Sequence, residues 1–140
     1  MPFDRADDPA WDPLIDAARV AMARSYSPYS HYPVGAALQC SDGSVVAGCN
    51  VENASYGGTI CAERGALMAA VAGGRRVFDG CVVMTRGPEP AHPCGLCRQA
   101  LYEFAPELPI LLVTHNTDAR RLVFMQDILP GAFGPKDLKK

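Results

Sequence analysis

The chain has 140 residues, 49% of them hydrophobic and 20% charged, with a formal net charge of −2 and a pI near 5.9. That length fits one domain with a sizeable core, and the composition is that of a folded globule, not a disordered chain. No basic field is available to hold a polynucleotide backbone, so the expected substrate is small and not a nucleic acid polymer. No apolar run approaches the length of a membrane span. The first thirteen residues carry four aspartates and no apolar stretch, so they do not read as a signal peptide. Six cysteines in such a chain are expected to be reduced thiols or metal ligands, in a cytoplasmic setting.

In chain order, residues 1–11 read as a loose acidic arm. Asp12-Pro13 is a helix start, aspartate as N-cap and proline in the first turn. Leu14, Ala17, Ala18, Ala21 and Met22 then recur at helical spacing up to about Ser25. Pro28 and Pro33 bracket a polar, aromatic loop holding Tyr26, Tyr29, His31 and Tyr32. Val34–Cys40 and Val45–Val51 read as two strands joined by a hairpin turn at Asp42-Gly43. A loop over residues 50–58 leads to a helix from about Cys61 to Ala72, capped by Thr59 and stopped by Gly73-Gly74. Its small residues, Ala62, Gly65, Ala66, Ala69 and Ala70, imply close packing on a sheet.

Val77–Thr85 reads as a buried strand, and Pro93 as the start of a helix that ends before Pro106. Leu108–Thr114 is the most hydrophobic strand candidate. After a turn at residues 115–118, Arg121–Phe124 is expected to return antiparallel to it, followed by one helical turn over Met125–Leu129. The order α-β-β-α-β-α-β-β predicts one domain over residues 1–140, a single sheet with helices on its faces.

The chemistry concentrates in Cys61-Ala62-Glu63 and Pro93-Cys94-Gly95-Leu96-Cys97. Three cysteines can close three corners of a zinc tetrahedron and leave the fourth for water, and a glutamate two positions from the first can carry protons beside the metal. This is the three-cysteine form of the zinc-deaminase signature. Helix N-termini favour thiolate over thiol at such positions. Three thiolates on Zn²⁺ sum to −1, which works against acidifying water. Arg64, beside Glu63, is the candidate cation to offset that charge, with Arg98 a weaker one.

Two plainer readings compete. Cys-x-x-Cys can be a redox pair, although Pro93 precedes it and the thioredoxin-type context is missing. A closed structural zinc site would recruit a fourth protein ligand, for which His31 and His92 are available. Cys40, Cys49 and Cys81 lie on apolar strand positions and read as buried thiols.

The residues resemble those of the small homotetrameric cytidine deaminases from about Tyr26 to Leu138. The resemblance rests on Tyr29–Leu38, on Gly48–Gly57 with its Asn50-Val51-Glu52-Asn53 core, and on Ile60-Cys61-Ala62-Glu63-Arg64. It continues through Pro93–Gln99 and the tail from Leu129-Pro130 to Phe133-Gly134-Pro135. It implies a three-layer α/β/α sandwich on a five-stranded mixed sheet and one Zn²⁺ per subunit. The implied reaction converts cytidine and deoxycytidine to uridine and deoxyuridine, in pyrimidine salvage.

By the same resemblance Cys61, Cys94 and Cys97 hold the zinc and Glu63 shuttles protons. Asn50 and Glu52 hold the ribose 3′-hydroxyl, the Ala62 backbone meets the base carbonyl, and Tyr32 and Tyr56 lie at the substrate. Phe133 reaches into a neighbouring subunit's pocket, so that the homotetramer completes each site. Tyr32 stands where the family usually has phenylalanine, and His92 where it usually has serine. A same-fold deaminase of another aminopyrimidine nucleoside, such as an antibiotic, and a non-catalytic zinc module are the alternatives.

Overall fold

The computed structural model describes residues 1–139. Helix α1 (Asp12–Met22) leads into strands β1 (Gly35–Cys40) and β2 (Val45–Cys49), then α2 (Ala62–Ala72) and β3 (Phe78–Thr85). The chain continues through α3 (Gly95–Tyr102), β4 (Pro109–Thr114), β5 (Arg120–Phe124) and the single turn α4 (Met125–Ile128). The strands form one sheet in the order β2-β1-β3-β4-β5. Only β3 and β4 pair in parallel; the other neighbours are antiparallel. The sheet is therefore mixed and five-stranded, as the resemblance implies.

Two connections set the layers. Helix α3 crosses between the parallel neighbours β3 and β4. Helix α2 crosses from β2 to β3, which run in the same direction because both oppose β1. Both crossovers step the same way across the sheet, and such connections share one hand, so both helices fall on one face. Helix α1 lies on the other face. Alternation along β3 separates the two cores. Val82 and Met84 pack with Leu14, Ile15, Ala18 and Met22 of α1, while Cys81 and Val83 pack with Ala66, Leu67, Ala70 and Leu101 of α2 and α3. A parallel β-α-β unit also brings each crossover helix's N-terminus to the carboxyl end of the strand before it.

Three local expectations are corrected. Residues 1–11 are not a loose arm. Phe3 and fully buried Trp11 join the α1-side core, their rings edge to face at 4.5 Å, and the Trp11 indole N–H donates to the Arg5 carbonyl at 2.9 Å. Asp4 and Asp7 stay exposed, which is how acidic composition masked two buried aromatics. Asp12 does not cap α1; Trp11 holds that position, and the Asp8 carboxylate caps the short turn before it by accepting from the Ala10 N–H at 2.8 Å. Thr59 does not cap α2. The N-cap is Cys61, and Cys94 is likewise the N-cap of α3, which begins two residues later than Pro93; neither helix has a side-chain cap.

Two elements end short of expectation, β2 at Cys49 instead of Val51 and α1 at Met22 instead of about Ser25, while the turns follow their local signals. The Asp42 carboxylate accepts from the Ser44 N–H at 2.9 Å in the β1–β2 turn and meets Arg75 at 3.1 Å. Gly74, at φ +85°, turns the chain out of α2 in a conformation that a side chain disfavours.

Candidate active site

The free N-termini of α2 and α3 converge beside the carboxyl end of β3. They bring the Cys61, Cys94 and Cys97 sulfurs within 4.8 Å of one another, with Cys61 and Cys94 3.8 Å apart. Ligands at a Zn–S distance of about 2.3 Å in a tetrahedron stand about 3.8 Å apart, so this donor set fits zinc. Cys97 is buried, Cys61 half-buried and Cys94 exposed, which leaves the cluster open on one side. Among the described residues neither His31 nor His92 belongs to the cluster. A closed four-ligand site has no fourth protein donor there.

Electrostatics at the cluster favour the thiolate at Cys61 and oppose it at Cys97. A hydrogen bond from Cys97 leads in drawing Cys61 down to about 5, with Arg64 and Cys94 adding to it. Cys97 is pushed up in return, first by that same bond and then by burial. The Arg64 guanidinium donates to the Cys61 sulfur at 3.5 Å through Nη2, and its own acidity falls for that reason. Arg98 acts elsewhere. It donates to the carbonyls of Pro93 at 2.8 Å and Ile128 at 2.7 Å, tying the start of α3 to α4.

Glu63, in the first turn of α2, is only 4% exposed. Burial raises its pKa, and the negative charge of Cys61 adds to that. A carboxyl so placed is suited to hold a proton and release it within a reaction.

The cluster opens into a cleft of about 390 Å³ whose walls include Tyr32, Asn50, Glu52, Cys61, Glu63 and Cys94. Ala62, Thr85 and His92 also line it. Asn50 is buried and largely engaged. Its Oδ1 accepts from the Ser25 hydroxyl and from the Val34 N–H at 2.9 Å, and its Nδ2 donates to the Tyr32 carbonyl at 2.9 Å. One Nδ2 hydrogen remains for a ligand. Glu52 accepts through Oε1 from the backbone N–H groups of Tyr29 at 2.9 Å and Ser30 at 3.1 Å. Its Oε2 accepts from the Ser30 hydroxyl. That hydroxyl is the leading cause that lowers the Glu52 pKa.

Tyr56 and Phe133 lie apart from this cleft. Tyr56 is exposed and stands 5.7 Å from the Tyr29 ring, lining a neighbouring hollow of about 240 Å³ that shares Ser30, Glu52 and Thr59 with the cleft. Phe133 is 59% exposed, its carbonyl accepting from the Gln99 amide at 2.8 Å. Reading the sequence missed Ser25 and Ser30, which orient Asn50 and Glu52. No spacing marks a serine whose partner lies more than twenty residues on.

Three thiols and a buried carboxylate at the N-termini of two crossover helices define a zinc-type deaminase architecture. Comparison with known proteins agrees. The family model for the cytidine and deoxycytidylate deaminase zinc-binding region matches residues 12–112. A cytidine deaminase of Mycobacterium tuberculosis is 44% identical over 135 residues, covering 95% of this chain and 96% of its own. One from Sporosarcina psychrophila is 41% identical over 126 residues, covering 89% and 92%. The crystal structure of cytidine deaminase from Burkholderia pseudomallei superposes with a TM-score of 0.83 at 46% identity, covering 87% of this chain and 98% of its own. The chain belongs to the cytidine and deoxycytidylate deaminase family, and it is an enzyme with zinc as its cofactor.

Proposed function

We propose that this enzyme hydrolyses the C4–amine bond of cytidine and deoxycytidine, giving uridine or deoxyuridine and ammonia. The observation that carries the reading is a buried Glu63 sharing one cleft with the cysteine cluster and with Asn50 and Glu52. Cys61, Cys94 and Cys97 hold the zinc, which when bound supplies Lewis acidity toward water. Glu63 takes a proton from the attacking water, passes it to the ring nitrogen and delivers the second proton to the departing amine. Arg64 balances the thiolate charge through Cys61. The Ala62 N–H, free in the first turn of α2, faces the base carbonyl. Tyr32 packs on the pyrimidine, and its hydroxyl reaches water at the cleft mouth.

At the other end of the substrate, Glu52 Oε2 and the spare Asn50 N–H take the ribose 3′-hydroxyl, with Tyr56 beside the sugar. Phe133 serves a neighbouring subunit of a homotetramer. Its exposure and its distance from its own chain's cleft support that placement. No helix among the described residues is long and apolar enough to cross a membrane, and we place the enzyme in the cytoplasm.

An ultraviolet assay on cytidine and deoxycytidine, with and without zinc chelation and readdition, tests the reading. Turnover that chelation abolishes and zinc restores is the expected result. Turnover of an aminopyrimidine antibiotic with none of cytidine would replace the substrate, and no ammonia from any aminopyrimidine would leave a zinc-binding module. An active monomer by sedimentation would remove the shared-site role of Phe133.

A further inference from the structure

Thr85 ends β3 at the point where both helix N-termini arrive. It is 3% exposed, yet its hydroxyl oxygen has no hydrogen-bond partner among the described residues. Its backbone carbonyl is engaged, accepting from the His115 N–H at 2.7 Å. Strand alternation puts its side chain on the face of Cys81 and Val83, under α2. The cleft reaches it there: Val83 and Thr85 line the same space as Glu63, Cys61 and Cys94.

A buried hydroxyl left unpaired costs about 1–3 kcal/mol. Valine would fill the same strand position at equal volume without that cost, and Val82 and Val83 precede it in the same strand. The hydroxyl therefore has no partner within the fold, and the residue that carries it lines the cleft. We infer that Thr85 is a specificity residue whose hydroxyl hydrogen-bonds the polar edge of the bound pyrimidine ring.

The inference rests on the substrate reading above, and its chemistry suits both sides of the reaction. A hydroxyl accepts from the exocyclic amine of an aminopyrimidine and donates to the carbonyl that replaces it. It can thus follow the ring through turnover without leaving a group unpaired. A site built to hydrogen-bond a ligand rejects one that cannot reciprocate far more strongly than an apolar wall would.

The test compares wild type, Thr85→Val and Thr85→Ser in three readouts. These are turnover of cytidine, calorimetric affinity for cytidine and uridine, and thermal midpoint. Thr85→Val is expected to weaken binding of both nucleosides and raise KM about tenfold, with kcat changed far less and a midpoint equal to or above wild type. Thr85→Ser is expected to recover most of the affinity. Wild-type turnover with Thr85→Val affinities within twofold of wild type would overturn the inference and leave the substrate reading intact. A lowered midpoint with unchanged KM would make the hydroxyl structural, overturning it equally. Absent turnover, with cytidine still bound tenfold more weakly by Thr85→Val, would sustain the contact while the reaction reading falls. Absence of both turnover and binding of cytidine in wild type would remove both.

Discussion

The two faces of the central sheet are both sealed by apolar side chains, but only one of them carries chemistry at its helix ends. On the α1 face the seal is large and wholly apolar: Trp11, Leu14, Ile15 and Met22 cover Ala37, Val82, Met84, Leu111 and Val113, with Phe3 closing the edge. The α2/α3 face is apolar as well, with Leu67, Leu101, Leu108 and Met125 in its core, but α2 also sets small residues, Ala66 and Ala70, in the core it shares with Leu38, Cys81 and Val83. Gly48 lets α2 come closer still. A Cβ there would sit 2.7 Å from the Ala62 carbonyl and nearer yet to the Ala66 nitrogen. Close approach sets the first turn of α2, with Cys61 and Glu63, directly beside the strand ends. Apolar area stabilises both faces, at about 25 cal/mol per Å² buried; on the α2/α3 face the close approach of α2 also fixes the position of a few polar atoms.

That division can be broken most sharply at Glu63. Glu63→Gln keeps the volume and relieves a buried charge, so the expected outcome is loss of about 10²–10⁴-fold in kcat. Zinc content and thermal midpoint should stay at or above wild type. Near-normal turnover would take Glu63 out of the mechanism. Trp11→Ala is the converse. It should cost about 3–5 kcal/mol in urea unfolding while leaving kcat/KM unchanged well below the melting transition. A comparable loss of activity would mean that the α1 face is coupled to the site.

Two glycines sharpen the contrast at smaller scale. Gly35 approaches α1 as Gly48 approaches α2; a Cβ at Gly35 would sit 2.7 Å from the Met22 nitrogen and closer to the Ala18 carbonyl. Alanine at either position should destabilise by about 1–3 kcal/mol through overpacking. Only Gly48→Ala is expected to lower kcat more than its stability loss explains, because the helix it displaces carries Cys61 and Glu63. Equal kinetic effects in the two variants would refute a difference between the faces.

The same contrast explains what could be read in the sequence. The active face was legible because its chemistry is local: Cys61-Ala62-Glu63 and Cys94-x-x-Cys97 are short-range patterns. The apolar runs of β1, β3 and β4 announced the sheet, and their ends fell within about a residue of those expected. The N-terminal segment was misread because Phe3 and Trp11 are isolated in sequence among aspartates and acquire partners only through the sheet. The caps failed for a related reason. Asp12 and Thr59 have the right chemistry, but the helices begin where tertiary packing places Trp11 and Cys61. Thr85 looked like the end of an apolar strand, and only its missing partner in three dimensions separates it from Thr114, whose hydroxyl is paired with Thr117 and accepts from the Ala119 N–H.

The smallest expected effect concerns the sugar end of the cleft and the Ser30 hydroxyl. Ser30 is the leading cause that holds the Glu52 carboxyl below its ordinary value of 4.5, with the Tyr29 and Ser30 N–H groups assisting. A depressed carboxyl pKa means that the ionised contacts are in place above 4.5 and are lost as pH falls through the lower, folded value. Ser30→Ala removes the largest lowering contribution and keeps both backbone donors, so the Glu52 pKa should move up toward 4.5 without reaching it. Carboxyl carbon shifts in an acid titration measure that directly. If Glu52 holds the ribose hydroxyl as an anion, KM for cytidine should begin to rise at a higher pH in Ser30→Ala than in wild type, while the two enzymes agree at neutral pH. A Glu52 titration that moves with no matching movement in KM would leave the carboxylate as a clasp on the loop of Tyr29 and Ser30, and return the sugar contact to Asn50 alone.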